Sequence, residues 1–82
     1  MSKLSERQKQ DINEMIAEKL GMDVEKIGNE SKLEDDLGVD SLDIVELVME
    51  LEKMYDISIP DDDYDNKMTV QGLYEVVELY NQ

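Results

Sequence analysis

An all-α fold, a small helical bundle with one long loop, is what three observations in this sequence predict. Apolar residues recur at three- and four-residue spacing in three stretches, and helix-capping residues precede them. The one short extended run, Ile57-Ser58-Ile59-Pro60, is too brief for a useful strand. The chain has 82 residues, 40% of them hydrophobic, which suits a single domain over 1–82 with a modest core. A formal charge of −14 warns of disorder, but the helical periodicity argues for a folded chain weakened by acidic self-repulsion.

The first helix is expected from about Ser5 to Leu20. Ser5 and Gln8 fit a capping box, Ile12, Met15, Ile16 and Leu20 form one apolar stripe, and Gly21 suits a left-handed terminus. Residues 21–40 read as a long loop. Asp23 can cap one short turn there, and Val24, Ile27, Leu33 and Leu37 serve as anchors onto the core. Loops of this length are uncommon without a function.

The strongest helix is expected from about Ser41 to Tyr55, after Gly38-Val39-Asp40. Ile44, Leu47, Val48, Leu51 and Tyr55 give it a core face, while Leu42, Val45 and Met49 make a second stripe turned away from the first. Asp43, Glu46, Glu50, Glu52 and one Lys53 surround that second stripe. An apolar ridge rimmed by acids points to a docking surface, and packing against the long loop is the alternative. Pro60 is placed to begin a short helix at about Asp61 to Asn66. Thr69 caps a last helix to about Tyr80, with Val70, Leu73, Val76, Val77 and Tyr80 facing inward.

Composition narrows the chemistry. Twenty-two acidic against eight basic residues argue against nucleic acid and anionic membrane surfaces, and favour partners with basic patches. The absence of Cys and His removes thiolate nucleophiles, disulfides and the commonest general base. No apolar run spans a bilayer and Met1-Ser2-Lys3-Leu4 does not open a signal peptide, so a cytoplasmic monomer is the expectation.

Ser41 is the candidate for chemistry. It opens the strongest helix after a Gly-containing turn, where unpaired N–H groups and the positive dipole end favour a phosphate. Read by position alone, Ser41 or Asp40 is more readily a plain N-cap than a phosphate site.

The run Leu33-Glu34-Asp35-Asp36-Leu37-Gly38-Val39-Asp40-Ser41-Leu42-Asp43-Ile44-Val45-Glu46-Leu47, carried on through Val48 to Tyr55, resembles acyl carrier proteins. Their signature is a Gly-x-Asp-Ser-Leu turn opening the second helix, with an acidic-Leu loop before it and Val-Glu-Leu after it. The resemblance continues through Ile59-Pro60-Asp61 and Thr69-Val70-Gln71 and, more loosely, the first helix. It implies a four-helix bundle with a long loop between helices 1 and 2 and a short third helix. It also implies that Ser41, flanked by Asp40 and Leu42, carries 4′-phosphopantetheine taken from coenzyme A by a carrier protein synthase, a phosphopantetheinyl transferase. Acyl groups then ride as thioesters on the arm's thiol, which accounts for a chain with no Cys. The protein is expected to be no enzyme itself. It is a shuttle between acyl-transfer and chain-elongation enzymes of fatty-acid or related biosynthesis. Leu42, Asp43, Val45, Glu46, Met49, Glu50 and Glu52 are the expected face for their basic patches.

Lys53 interrupts a helix face that is more uniformly acidic in such proteins. Tyr64, Lys67-Met68, Leu73 and Tyr74 stand where relatives often carry smaller or differently placed residues. If they fill the interior, a long acyl chain has less room, so a specialised carrier of a polyketide, lipid or aminoacyl pathway is the alternative to a fatty-acid carrier, while Asp40 and Glu46 argue for an acyl over a peptidyl or alanyl carrier. An acidic helical adaptor with no prosthetic group is the rival from another class. Asp61, Asp63 and Asp65 open like an EF-hand, but Asn66 and Gly72 occupy the positions that need Gly and Glu, so no specific metal site is expected. A hydrolase reading fails because Gly-x-Ser-x-Gly and His are both absent.

Overall fold

In a computed structural model that describes residues 3–81, helix α1 spans Glu6–Leu20, α2 spans Ser41–Tyr55 and α3 spans Val70–Tyr80. Single 3₁₀ turns at Val24–Lys26 and Asp61–Asp63 lie in the connections. The local signals explain the boundaries. Ser5 Oγ accepts the Gln8 N–H at 3.1 Å, and Gln8 Oε1 accepts the Ser5 N–H at 2.9 Å, so the expected capping box is formed. Gly21 at φ 67° turns the chain out of α1, and the Met22 N–H closes back on the Ala17 carbonyl. At the start of α3 the Thr69 hydroxyl accepts the Gly72 N–H.

The expected short third helix at Asp61–Asn66 is not an α-helix. One 3₁₀ turn, Asp61–Asp63, stands there, so three α-helices build the described chain rather than four. Three consecutive aspartates offer no apolar face to bury, and Tyr64 is extended at φ −145°. Asp65 then accepts the Lys67 N–H at 2.9 Å, a local bond that competes with the helical ladder.

The long loop is bound to the bundle at two levels. Ile27 and Leu33 are buried, while Val24 and Leu37 pack half-buried against the core. Its backbone also meets the start of α3: Lys32 and Thr69 form a single antiparallel bridge, and the Leu33, Val70 and Gln71 N–H groups donate to Met68, Ser31 and Asn29. On the far side, the Leu4 N–H donates to the Glu78 carboxylate at 3.0 Å and the Leu4 side chain enters the core.

One hydrophobic core joins all three helices and the loops. In α2, Ile44, Leu47, Val48 and Leu51 are buried and Tyr55 is half-buried, as the periodicity expects. In α3 the inward face is rotated from the expected one. Val70, Leu73, Tyr74 and Val77 are buried, while Val76 and Tyr80 are half-buried at its flank. The pattern 70, 73, 74, 77 is itself a helical stripe, and Tyr74 joins it because its hydroxyl reaches Asn13 on α1 and leaves no buried polar atom unpaired.

Candidate functional site

Gly38, Val39 and Asp40 set the approach to α2. Gly38 takes φ 71°, and a Cβ there would meet nothing within 4 Å, so backbone conformation and not space calls for glycine. Val39 then buries its side chain, and its N–H donates to the Leu33 carbonyl at 2.8 Å. Asp40 is the N-cap. Its Oδ1 accepts the N–H groups of Leu42 at 3.0 Å and Asp43 at 2.8 Å, while Asp43 Oδ2 accepts the Asp40 N–H at 3.2 Å.

Ser41 is therefore the first helical residue and not the cap, and it is exposed. This corrects the expectation of unpaired donors waiting for a phosphate, because a carboxylate already occupies two of them. A loosely bound anion would have to displace Asp40. A covalent phosphodiester needs only an accessible hydroxyl on a fixed backbone, and Ser41 supplies that, so the residues present fit a covalently attached arm.

Beside Ser41 lies an open cleft of about 410 Å³. Ile44 and Val45, three and four residues on, share the Ser41 side of α2, and Asp61, Tyr64, Asp65 and Asn66 form the opposite wall. The wall is tied down by side chains. Asn66 Nδ2 donates to Glu34 Oε2 at 3.1 Å and to the Val39 carbonyl at 3.3 Å, and the Tyr64 hydroxyl donates to Asp61 at 3.2 Å. The Tyr80 hydroxyl of α3 donates to Asp63 of the turn next to it. Burial, with the Asp61 carboxylate beside it, holds the Tyr64 hydroxyl above its ordinary pKa of 10.0. Helical periodicity does not find this wall, because Asp61, Asp65 and Asn66 follow no apolar pattern. Only the out-of-place aromatic Tyr64 signals it.

The second stripe of α2 stays uncovered. Leu42 is 67%, Val45 39% and Met49 52% exposed, and Glu46 shares their face. The other acids expected on that face are committed within the fold. Asp43 completes the cap, Glu50 sits 3.5 Å from Lys19 Nζ, and Glu52 accepts the Ile59 N–H at 2.8 Å. All three are half-buried, so Glu46 is the acid that stands most openly beside the ridge. Among the described residues no group of three or more ligating side chains is gathered for a metal ion, and no helix is long and apolar enough to cross a membrane.

Residues 10–77 match the protein family described as the phosphopantetheine attachment site. The chain is 46% identical over 67 residues to the acyl carrier protein of Bdellovibrio bacteriovorus, covering 82% of this chain and 86% of that relative. It is 49% identical over 69 residues to the acyl carrier protein of Chlorobium phaeobacteroides, covering 84% and 88%. For the Buchnera aphidicola acyl carrier protein the identity is 44% over 69 residues, with the same coverage.

Proposed function

The chain belongs to the acyl carrier protein family, and we propose that Ser41 is the residue that takes its 4′-phosphopantetheine arm. The observation that carries this reading is the exposed Ser41 hydroxyl at the first position of α2, inside the matched region and held by the Asp40–Asp43 cap. Once attached, the arm supplies the thiol that this Cys-free chain lacks, and acyl groups are carried on it as thioesters. The chain's own residues present and position. Asp40 holds the helix end rigid, Gly38 lets the loop turn into it, and Leu42 stands exposed beside Ser41.

The chain itself is the object on which partner enzymes act, and 1–82 serves as one carrier domain. Partners are a phosphopantetheinyl transferase and acyl-transfer or elongation enzymes with basic patches, met by a cytoplasmic monomer. Leu42, Val45 and Met49 supply the apolar contact and Glu46 the charge. Asp43, Glu50 and Glu52 contribute through their field more than by direct pairing. Leu73 and Tyr74 in the core are consistent with the specialised-pathway reading.

Intact mass after incubation with coenzyme A and a phosphopantetheinyl transferase tests the attachment. The expected outcome is one phosphopantetheinyl addition, mapped to Ser41 by peptide mass spectrometry and abolished in Ser41→Ala. That variant should keep its helical circular-dichroism signal, since Asp40 and not Ser41 is the cap. An unchanged wild-type mass would favour the adaptor without a prosthetic group, and addition at another serine would move the site.

A further inference from the structure

We propose that Asn66 is a positioning residue for attachment of the arm: from the segment before α3 it holds the peptide that leads into the cap of α2, and so fixes how Ser41 is presented. The inference rests on Ser41 as the attachment residue. The peptide between Val39 and Asp40 is planar, so its carbonyl and its N–H point in fixed, opposite directions. The N–H donates to Asp43 Oδ2 at 3.2 Å, as part of the cap. The carbonyl is part-buried, and among the described residues no backbone N–H reaches it. Its donor is Asn66 Nδ2 at 3.3 Å, 27 positions further along the chain. One peptide is thus pinned at one edge by α2 itself and at the other by Asn66, and Ser41 follows it directly.

The same amide group also donates to Glu34 Oε2 at 3.1 Å. A carboxylate and a carbonyl are acceptors only, so the nitrogen of the amide faces both, and its two hydrogens serve one each. Glu34 and Val39 are the two ends of a tight turn. The Glu34 carbonyl accepts the Gly38 N–H at 3.1 Å, and the Leu33 carbonyl accepts the Val39 N–H at 2.8 Å. Asn66 bridges that turn where the chain enters α2, and a side chain with one donor holds only one end of it. The segment that carries Asn66 is itself fixed. The Leu33 N–H donates to the Met68 carbonyl at 3.0 Å, and the Tyr80 hydroxyl donates to Asp63. Asn66 is not part of α2, so its loss leaves Leu42, Glu46 and Met49 in place for a partner. The effect falls on the presentation of Ser41 and not on docking.

Asn66→Leu keeps the shape of the side chain and removes both donors. With coenzyme A and a phosphopantetheinyl transferase, its kcat should fall about tenfold while KM stays near the parent value. With no enzyme present, its amide NMR shifts should change at Val39, Asp40 and Ser41. Glu52→Ala, which frees the Ile59 N–H in the same connection, is the control for simple loosening and should keep the parent kcat. Asn66→Asp supplies a second readout. Its carboxylate faces the Glu34 carboxylate and the Val39 carbonyl, with Asp61, Tyr64 and Asp65 on the same wall and Lys32 and Lys67 beside Glu34. Modification of this variant should be slow at neutral pH and recover as pH falls, because the neighbouring carboxylates favour the acid form and the acid form regains a donor. Rates are taken as a ratio to the parent at each pH, so that titration of the transferase and of the shared groups cancels. Should Asn66→Leu fail to fold, that ratio decides alone. A parent-like kcat in Asn66→Leu, an equal loss in Glu52→Ala, a ratio that stays flat with pH, or shifts confined to residues 64–68 would overturn the role of Asn66. The parent separates the premise from the inference. Modification that maps to a serine other than Ser41 rejects the attachment residue, while the shifts at Asp40 and Ser41 still report on Asn66.

Discussion

Helix α2 has two apolar faces of similar composition and opposite fate. Ile44, Leu47, Val48 and Leu51 are buried, whereas Leu42, Val45 and Met49, on the same fifteen residues, remain open to solvent. Hydrophobic character does not separate them. What does is whether another element of the chain comes to cover them, and α1, α3 and the long loop supply cover on one side only. The uncovered face begins beside Ser41, the residue proposed to take the arm, so the exposed Leu and Met adjoin the proposed site. The acids divide in the same way. Glu52 and Asp43 satisfy backbone donors of the fold, and Glu46 faces outward.

The difference between the faces can be broken most forcefully by shortening one residue on each. Leu47→Ala should cost about 2–5 kcal/mol of folding stability, because it leaves a cavity in a close-packed core. Met49→Ala should stay within about 0.5 kcal/mol in the same urea titration. It should nevertheless weaken the encounter with the transferase by about 1–2 kcal/mol, read from kcat/KM. Equal stability losses in the two variants would mean that the outer stripe is core after all.

The acids sharpen the contrast at a smaller scale. Glu52→Ala orphans the part-buried Ile59 N–H and should cost about 1–3 kcal/mol of stability with little effect on modification kinetics. Glu46→Lys should do the reverse, leaving the urea midpoint in place, slowing modification and flattening its dependence on salt. A salt profile identical to that of the parent would place the charged contact elsewhere.

The smallest expected effect is alkaline, and it concerns the packed side and the cleft wall, not the outer stripe. The hydroxyls of Tyr55, Tyr64 and Tyr74 are held above the ordinary value of 10.0 chiefly by burial, and that of Tyr80 chiefly by its bond to Asp63. A phenol with a raised folded-state pKa resists ionisation in the fold while the unfolded chain ionises. Its contribution is therefore complete below pH 10.0 and is lost as pH climbs through the folded-state value. Thermal melts between about pH 9 and about pH 11 should show a falling midpoint, and Tyr74→Phe should flatten that fall. A midpoint that rises over this window would contradict the arrangement.

Much of the fold was legible because its signals are local. Ser5 with Gln8, Gly21, Thr69 and the stripe of α2 each act within a turn or two, and each took the conformation that its spacing implies. The short helix after Pro60 was misread because a favourable start was not matched by any apolar face to bury, and Asp65 used its side chain to bond the backbone nearby. In α3 the sequence reading took Tyr80 as the inward aromatic, and the structure buries Tyr74 instead. Both lie on plausible faces, and the position of Asn13 on another helix decides between them. At the candidate site, the Gly-x-Asp-Ser-Leu run singled out Ser41 as the candidate, but the capping role of Asp40 needed atomic geometry. A carboxylate at that position is equally able to cap or to stand free.

The sequence by itself therefore determined the all-helical class, the limits of the three helices, the acidic character and the place of Ser41 at the opening of α2, all properties of residues within one or two helical turns. Which face of each helix is covered, that Glu50 meets Lys19, and that Tyr64 faces Ser41 across a cleft were decided only by tertiary structure. They depend on segments twenty or more residues apart coming together, and such encounters are set by packing of the whole chain, which no local pattern encodes.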